Sequence, residues 1–162
     1  DLVACRHVLH SIPHTDRVLA ELVRVTRHGG YLHVIAEDYG MIHFDERSGV
    51  RDFWNVAPAA FSAATGTDLF TGRNIVPLLS QLDVDAITVD YAIVDTLRVP
   101  RDTFGDMLEA WRDGFVDAIA ELTPLSRDAT AGAFDRMIAT VRNPPGYAVW
   151  MVPIVSARRR WM

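Results

Sequence analysis

The chain has 162 residues, is 49% hydrophobic and 23% charged, and carries a net charge of −5. That length can bury a core as one domain, and the acidic balance excludes the basic stripe of a nucleic-acid footprint. The single cysteine, Cys5, excludes an internal disulfide or a cysteine metal cluster, and no apolar run reaches the length of a membrane span.

The first ten residues, D-L-V-A-C-R-H-V-L-H, predict a strand over residues 2–7 that runs into a polar turn before Pro13. Thr15 is the expected N-cap of a helix reaching Arg27, with Asp16 in its first turn and an apolar stripe of Val18, Leu19, Leu22 and Val23. Gly29 supplies the left-handed exit, and residues 31–37 predict a second buried strand. So short a link implies that the two strands run parallel.

Residues 38–52 read as loop, and a short helix over 52–64 is expected to break or start near Pro58. After a turn-rich segment over 65–72, Ile75, Val76, Leu78, Leu79 and Leu82 predict a helix capped by Asn74, which makes Pro77 tolerable in its first turn. Residues 84–95 alternate and are rich in β-branched side chains, which predicts a strand. Helices over 102–122 and 126–142, a Pro-Pro-Gly turn at 144–146 and a strand over 147–155 follow, and Arg158 to Arg160 read as a solvated tail.

The amino-terminal wording resembles class I S-adenosylmethionine (SAM) dependent methyltransferases. The family's usual D-x-V-x-x-x-x-x-L-H-x-x-P, L-x-E-x-x-R-V-x-x-P-G-G and following strand are matched over residues 1–37, with His28 where proline is typical. T-G-R-N-I-V-P-L-L, residues 71–79, is similar to the family's G-R-x-L-x-x-L-L helix. The resemblance implies a partial Rossmann-like α/β fold: a mixed sheet made of the family's strands 4-5-7-6, with helices on its faces and a helical insertion over 101–142 before the last strand. It also implies that residues 1–162 are the carboxyl-terminal portion of the domain, because the family's glycine-rich cofactor loop lies upstream of this wording. No two glycines here are separated by a single residue, and the chain starts at Asp1 rather than Met, as expected of a trimmed, processed or partial chain.

Ligands of open α/β sheets lie beyond the carboxyl ends of the parallel strands, and residues 5–10 and 37–39 reach that edge. By resemblance, Cys5, Arg6 and His7 border the methionine moiety of SAM, with Arg6 suited to its carboxylate. His10 matches the family's Leu-His pair and either holds the loop or serves as general base; His43 is the other candidate base. The spacing of His7, His10 and His14 would suit a metal on a helix, but Pro13 and the preceding strand oppose a helix there, so no metal is expected. Glu37 and Asp38 either orient an acceptor or are solvated. Tyr39, Phe44 and Trp54, in an aromatic-rich stretch, either line a pocket for a small, largely apolar acceptor or pack helices onto the sheet. Trp111 and Phe115 read as lid or core.

The expected function is therefore SAM-dependent methyl transfer to a small molecule by the intact protein, with this chain alone inactive and binding the cofactor very weakly. The alternative is a non-catalytic interaction module on a degenerate methyltransferase frame; another nucleotide-fold enzyme, such as a reductase, is the third reading. The first strand, left as a sheet edge, is expected to pair with a second copy or with the family's amino-terminal half. No membrane or nucleic-acid partner is expected, and cysteine usage points to the cytoplasm.

Overall fold

The computed structural model describes residues 1–161. Five strands form one mixed sheet in the order β1 (Leu2–Arg6), β2 (Tyr31–Ile35), β5 (Ala148–Arg159) and β3 (Ile42–Phe44), with β4 (Val84–Asp95) also paired to β5. The helices are α1 (Thr15–Val25), α2 (Phe53–Thr65), α3 (Thr71–Leu79), α4 (Arg101–Leu122) and α5 (Arg127–Arg142). The expected 4-5-7-6 order corresponds to β1, β2, β5 and β4, and these pairings are found; β3 is an addition. The chain divides into two compact units.

The first unit comprises Asp1–Asp38, Gly66–Ala92 and the chain from Val152 onward. β1 and β2 pair in parallel from Leu2 opposite Tyr31 to Arg6 opposite Ile35, and β5 runs antiparallel to β2. Leu19 and Val23 of α1, Leu32 and Val34 of β2, and Ile75 and Leu79 of α3 fill one apolar core with Leu9, Val84 and Val155. The stripe read in the sequence is thus the buried face of α1.

Helix starts differ from expectation. Thr15 is the first helical residue of α1, not its cap; His14 precedes it with φ 59°, and the Thr15 hydroxyl donates to the Leu9 carbonyl at 3.2 Å. α3 begins at Thr71, earlier than Asn74, so Pro77 lies in the helix interior. Asp68 accounts for this early start: its carboxylate accepts from the Phe70 amide and from Asn74 Nδ2, and its carbonyl accepts from the Thr71 amide. An interior proline costs about 3 kcal/mol in helix propensity, which burial of Ile75 and Leu79 offsets. The expected arginine tail belongs partly to β5. Arg158 donates to Asp85 at 2.9 Å, and Arg159 donates to the carbonyls of Arg24 and Thr26 at the end of α1.

Gly72 lies where α3 meets the end of β2. A Cβ there would sit 2.8 Å from the Ala36 carbonyl oxygen and 2.8 Å from the Pro153 ring. Backbone on one side leaves no soft neighbour to yield. Gly72→Ala is expected to lower the unfolding free energy by about 1–3 kcal/mol; an unchanged urea midpoint would show that the contact relaxes freely.

The second unit comprises Tyr39–Thr65 and Ile93–Met151. Residues expected as loop form two 3-10 turns, Tyr39–Met41 and Glu46–Ser48, on either side of β3, which pairs antiparallel with β5 from Ile42 opposite Trp150 to Phe44 opposite Ala148. α2 continues through Pro58 to Thr65. Phe104 and Leu108 of α4 and Phe134, Met137 and Val141 of α5 are buried. Ser126 caps α5 by accepting from the Ala129 amide at 3.2 Å. At the other end of α5, the Arg101 guanidinium donates to the carbonyls of Val141, Asn143, Pro144 and Gly146, satisfying acceptors that a helix terminus leaves free. No helix among the described residues is long and apolar enough to cross a membrane.

Candidate functional site: a carboxylate shared by two histidines

The parallel pair of the first unit ends, at its carboxyl edge, in two short segments rich in titratable groups. β1 ends at Arg6, and His7 turns the chain with φ 56° while its amide donates to the Ile35 carbonyl at 2.9 Å. A 3-10 turn, Leu9–Ser11, then buries Leu9 and places His10. β2 ends at Ile35, and Glu37 and Asp38 follow, both buried.

Glu37 lies between two imidazoles. His7 Nδ1 donates to Oε1, and His10 Nδ1 lies 2.5 Å from Oε2. The carboxylate side chain is 6% exposed, His10 12% and His7 50%, so His7 is the member open to solution. Burial pushes the Glu37 carboxyl up, but the contacts from His10 and then His7 outweigh it and hold the group below the usual glutamate range.

A depressed carboxyl stabilises the folded state fully above its unfolded value of about 4.3 and loses that contribution as pH falls toward the lower folded value. The wild-type unfolding free energy is thus expected to fall more steeply than that of Glu37→Gln as pH drops below about 4.5. Urea titrations between pH 3 and 7 would check this; parallel curves would contradict it.

Asp38 is differently engaged. Its side chain is fully buried, and its carboxylate accepts from the Arg73 amide at 3.2 Å, Nε at 2.6 Å and Nη2 at 2.7 Å. This bidentate clamp fixes the start of α3 to the end of β2, and the Gly72 amide adds a hydrogen bond to the Glu37 carbonyl at 3.0 Å. The sequence signal for the clamp was the Gly-Arg pair at 72–73, read only as helix wording.

The other candidates fall in three places. Cys5 and Arg6 are on β1 beside the cluster; burial pushes the Cys5 thiol up, which suits a packed thiol rather than a nucleophile. His43 is exposed on β3, and Phe44 follows it, both in the second unit. Tyr39 and Trp54 are in that unit too, packed with Trp111 and Trp150: Tyr39 stacks on Trp54 at 5.7 Å between ring centres and on Trp150 at 6.3 Å. Phe115 is exposed on α4. The structure therefore brings His7, His10 and Glu37 together, packs Cys5 against the apolar core, pairs Asp38 with Arg73, and separately groups Tyr39 with Trp54. A cleft of about 380 Å³ elsewhere in the first unit, lined by His14, Asp16, Asp68 and Asn74 among others, holds none of the candidates. No group of three or more His, Cys, Asp or Glu among the described residues is placed to hold a metal ion.

Residues 1–34 match the family model described as a methyltransferase domain. No curated protein matches the chain. Among solved structures the chain is similar to Haemonchus contortus phosphoethanolamine N-methyltransferase 2, in complex with phosphomonomethylethanolamine and S-adenosylhomocysteine, at 13% identity and a TM-score of 0.46, over 99% of this chain and 33% of that one. It is similar to a Bacillus halodurans C-125 protein assigned as a methyltransferase, at 11% identity and 0.49, over 98% and 69%. It is also similar to the [4+2]-cyclase SpnF, at 19% identity and 0.46, over 100% and 50%. The chain thus spans between a third and about two thirds of the solved chains it resembles. The family match covers the strand–helix–strand wording and is consistent with part of a class I methyltransferase domain.

Proposed function

We propose that this chain is part of a SAM-dependent methyltransferase acting on a small molecule, and that the His7–Glu37–His10 cluster is its working edge. The observation that carries the reading is the placement of this cluster at the carboxyl ends of the parallel strands that match the methyltransferase family. The residues present fit one flank of the cofactor: Arg6 is exposed at the end of β1, where its planar donors suit a carboxylate, and the His7 backbone turns sharply beside it. SAM supplies an electrophilic methyl group when bound, so the protein's task is alignment and proton handling.

Glu37 holds the histidines by their Nδ1 atoms, which leaves Nε2 of the half-exposed His7 to take a proton from an acceptor hydroxyl or amine. His10, nearly buried, orients the carboxylate from its other oxygen. This division of labour gives the base to His7, where the sequence offered His10 and His43 as the two candidates.

The chain contains no G-x-G spacing, and among the described residues β1 pairs on one side only, with Leu2 66% exposed. Both leave a second reading, an interaction module that keeps the frame without the chemistry. They also support pairing of the β1 edge with a strand from a second copy or from a longer form of the protein; sedimentation of the chain as a lone monomer would contradict that. Calorimetric titration of S-adenosylhomocysteine separates the readings: binding by the longest gene product supports the enzyme, with residues 1–162 alone much weaker. No binding by any form supports the module.

A further inference from the structure

The second unit holds a second feature that the strand-end cluster does not use. Tyr39, Trp54, Trp111 and Trp150 form one aromatic group, in which Tyr39 stacks between Trp54 and Trp150 and Trp111 meets each of the other three edge-on, at 5.3 to 5.8 Å between centres. Trp54 and Trp150 are 6% and 8% exposed, while Tyr39 and Trp111 are half-buried at the rim. Both deep indole N–H groups, Trp54 Nε1 and Trp150 Nε1, are buried without a hydrogen-bond partner.

A buried donor without an acceptor costs free energy that a phenylalanine would avoid. Two in one cluster call for a ligand that supplies what the protein withholds. An indole N–H is the positive edge of its ring, so the pair attracts lone pairs and repels an ammonium group, even though aromatic faces alone would welcome one. We propose that this cluster is a binding site for a flat, uncharged aromatic molecule bearing a carbonyl or similar oxygen that accepts from Trp54 Nε1 or Trp150 Nε1.

The test is a set of 1H–15N spectra of the full chain, with the Trp54 and Trp150 indole signals assigned from Trp54→Phe and Trp150→Phe. The probes are 2-acetonaphthone, 2-ethylnaphthalene (same shape, no acceptor) and tetramethylammonium. The ketone should move one or both signals downfield while the hydrocarbon does not. The matching Phe variant should bind the ketone about tenfold more weakly, the scale of one hydrogen bond, and should unfold no more easily than the wild type. Equal shifts with ketone and hydrocarbon, shifts with tetramethylammonium alone, no shift with any probe, or Phe variants that lose stability but not ketone affinity would each overturn the proposal. S-adenosylhomocysteine binding, scored separately, fails only if the methyltransferase reading fails.

Discussion

Replacing Arg73 by alanine is expected to lower the unfolding free energy by about 3 kcal/mol, the low end of the cost of breaking a buried ion pair from one side. Asp38 is fully buried and receives three donors from Arg73, of which the backbone amide would survive. The guanidinium is 48% exposed, so part of its charge already faces water, and that keeps the cost from reaching the upper end. For a chain of this size the midpoint of thermal unfolding should fall by roughly 6–12 °C. Asp38→Asn, which keeps the shape and removes the charge, should cost less, and combining the two changes should cost less than their sum because the lone buried charge is gone. Strict additivity in that cycle would mean that the clamp is not a coupled unit. Its loss would also loosen the strand end that carries Glu37, so the clamp stabilises the edge on which the proposed chemistry stands.

Glu37→Gln is expected to reduce methyl transfer by the longest gene product on the order of 10²-fold or more, within the range of general acid–base catalysis. The amide has one acceptor oxygen where the carboxylate has two. His7 then loses the partner that fixes its Nδ1 and keeps Nε2 free. The split between turnover and binding is the diagnostic: kcat should fall in Glu37→Gln with S-adenosylhomocysteine affinity unchanged. His7→Ala should match it, whereas His28→Ala, an exposed ring that contacts the Arg160 carbonyl, should not. Loss of cofactor affinity alone would assign the cluster to binding.

Much of the first unit was legible because local pattern and final environment agree there. The stripe Val18, Leu19, Leu22 and Val23 has helical spacing and packs the core; α1 itself ends at Val25 with Thr26 extended, short of Arg27, so Gly29, with φ 73°, serves the turn into β2 rather than the helix exit expected of it. The strand over 84–95 alternated and was found with those limits. What escaped the sequence depended on contacts between distant residues. Asp68 starts α3 before Asn74 by satisfying two donors at once, so Pro77 falls in the interior. β3 is only Ile42–Phe44, and it exists because β5 lies beside it to pair with. At the site, the residue types were visible at the strand ends, but their pairing was not. Glu37 meets partners 30 and 27 positions away in sequence, and Asp38 meets Arg73 across 35. Periodicity carries no information about such pairs.

The same lesson applies to the aromatic residues. In the sequence Tyr39 and Trp54 read as pocket lining or packing and Trp111 as lid or core, and the structure gathers all three with Trp150 from the last strand. The unsatisfied indole donors are a property of three-dimensional placement and have no counterpart in the residue order.

The most direct measurement is a histidine ring 1H–15N spectrum of the longest gene product during titration with S-adenosylhomocysteine. If the carboxyl edge of β1 and β2 is the seat of methyl transfer, the His7 and His10 ring signals move with saturation while His33, hydrogen-bonded to Ser156 within the sheet, stays in place. Saturable binding that leaves both His7 and His10 unmoved would contradict it.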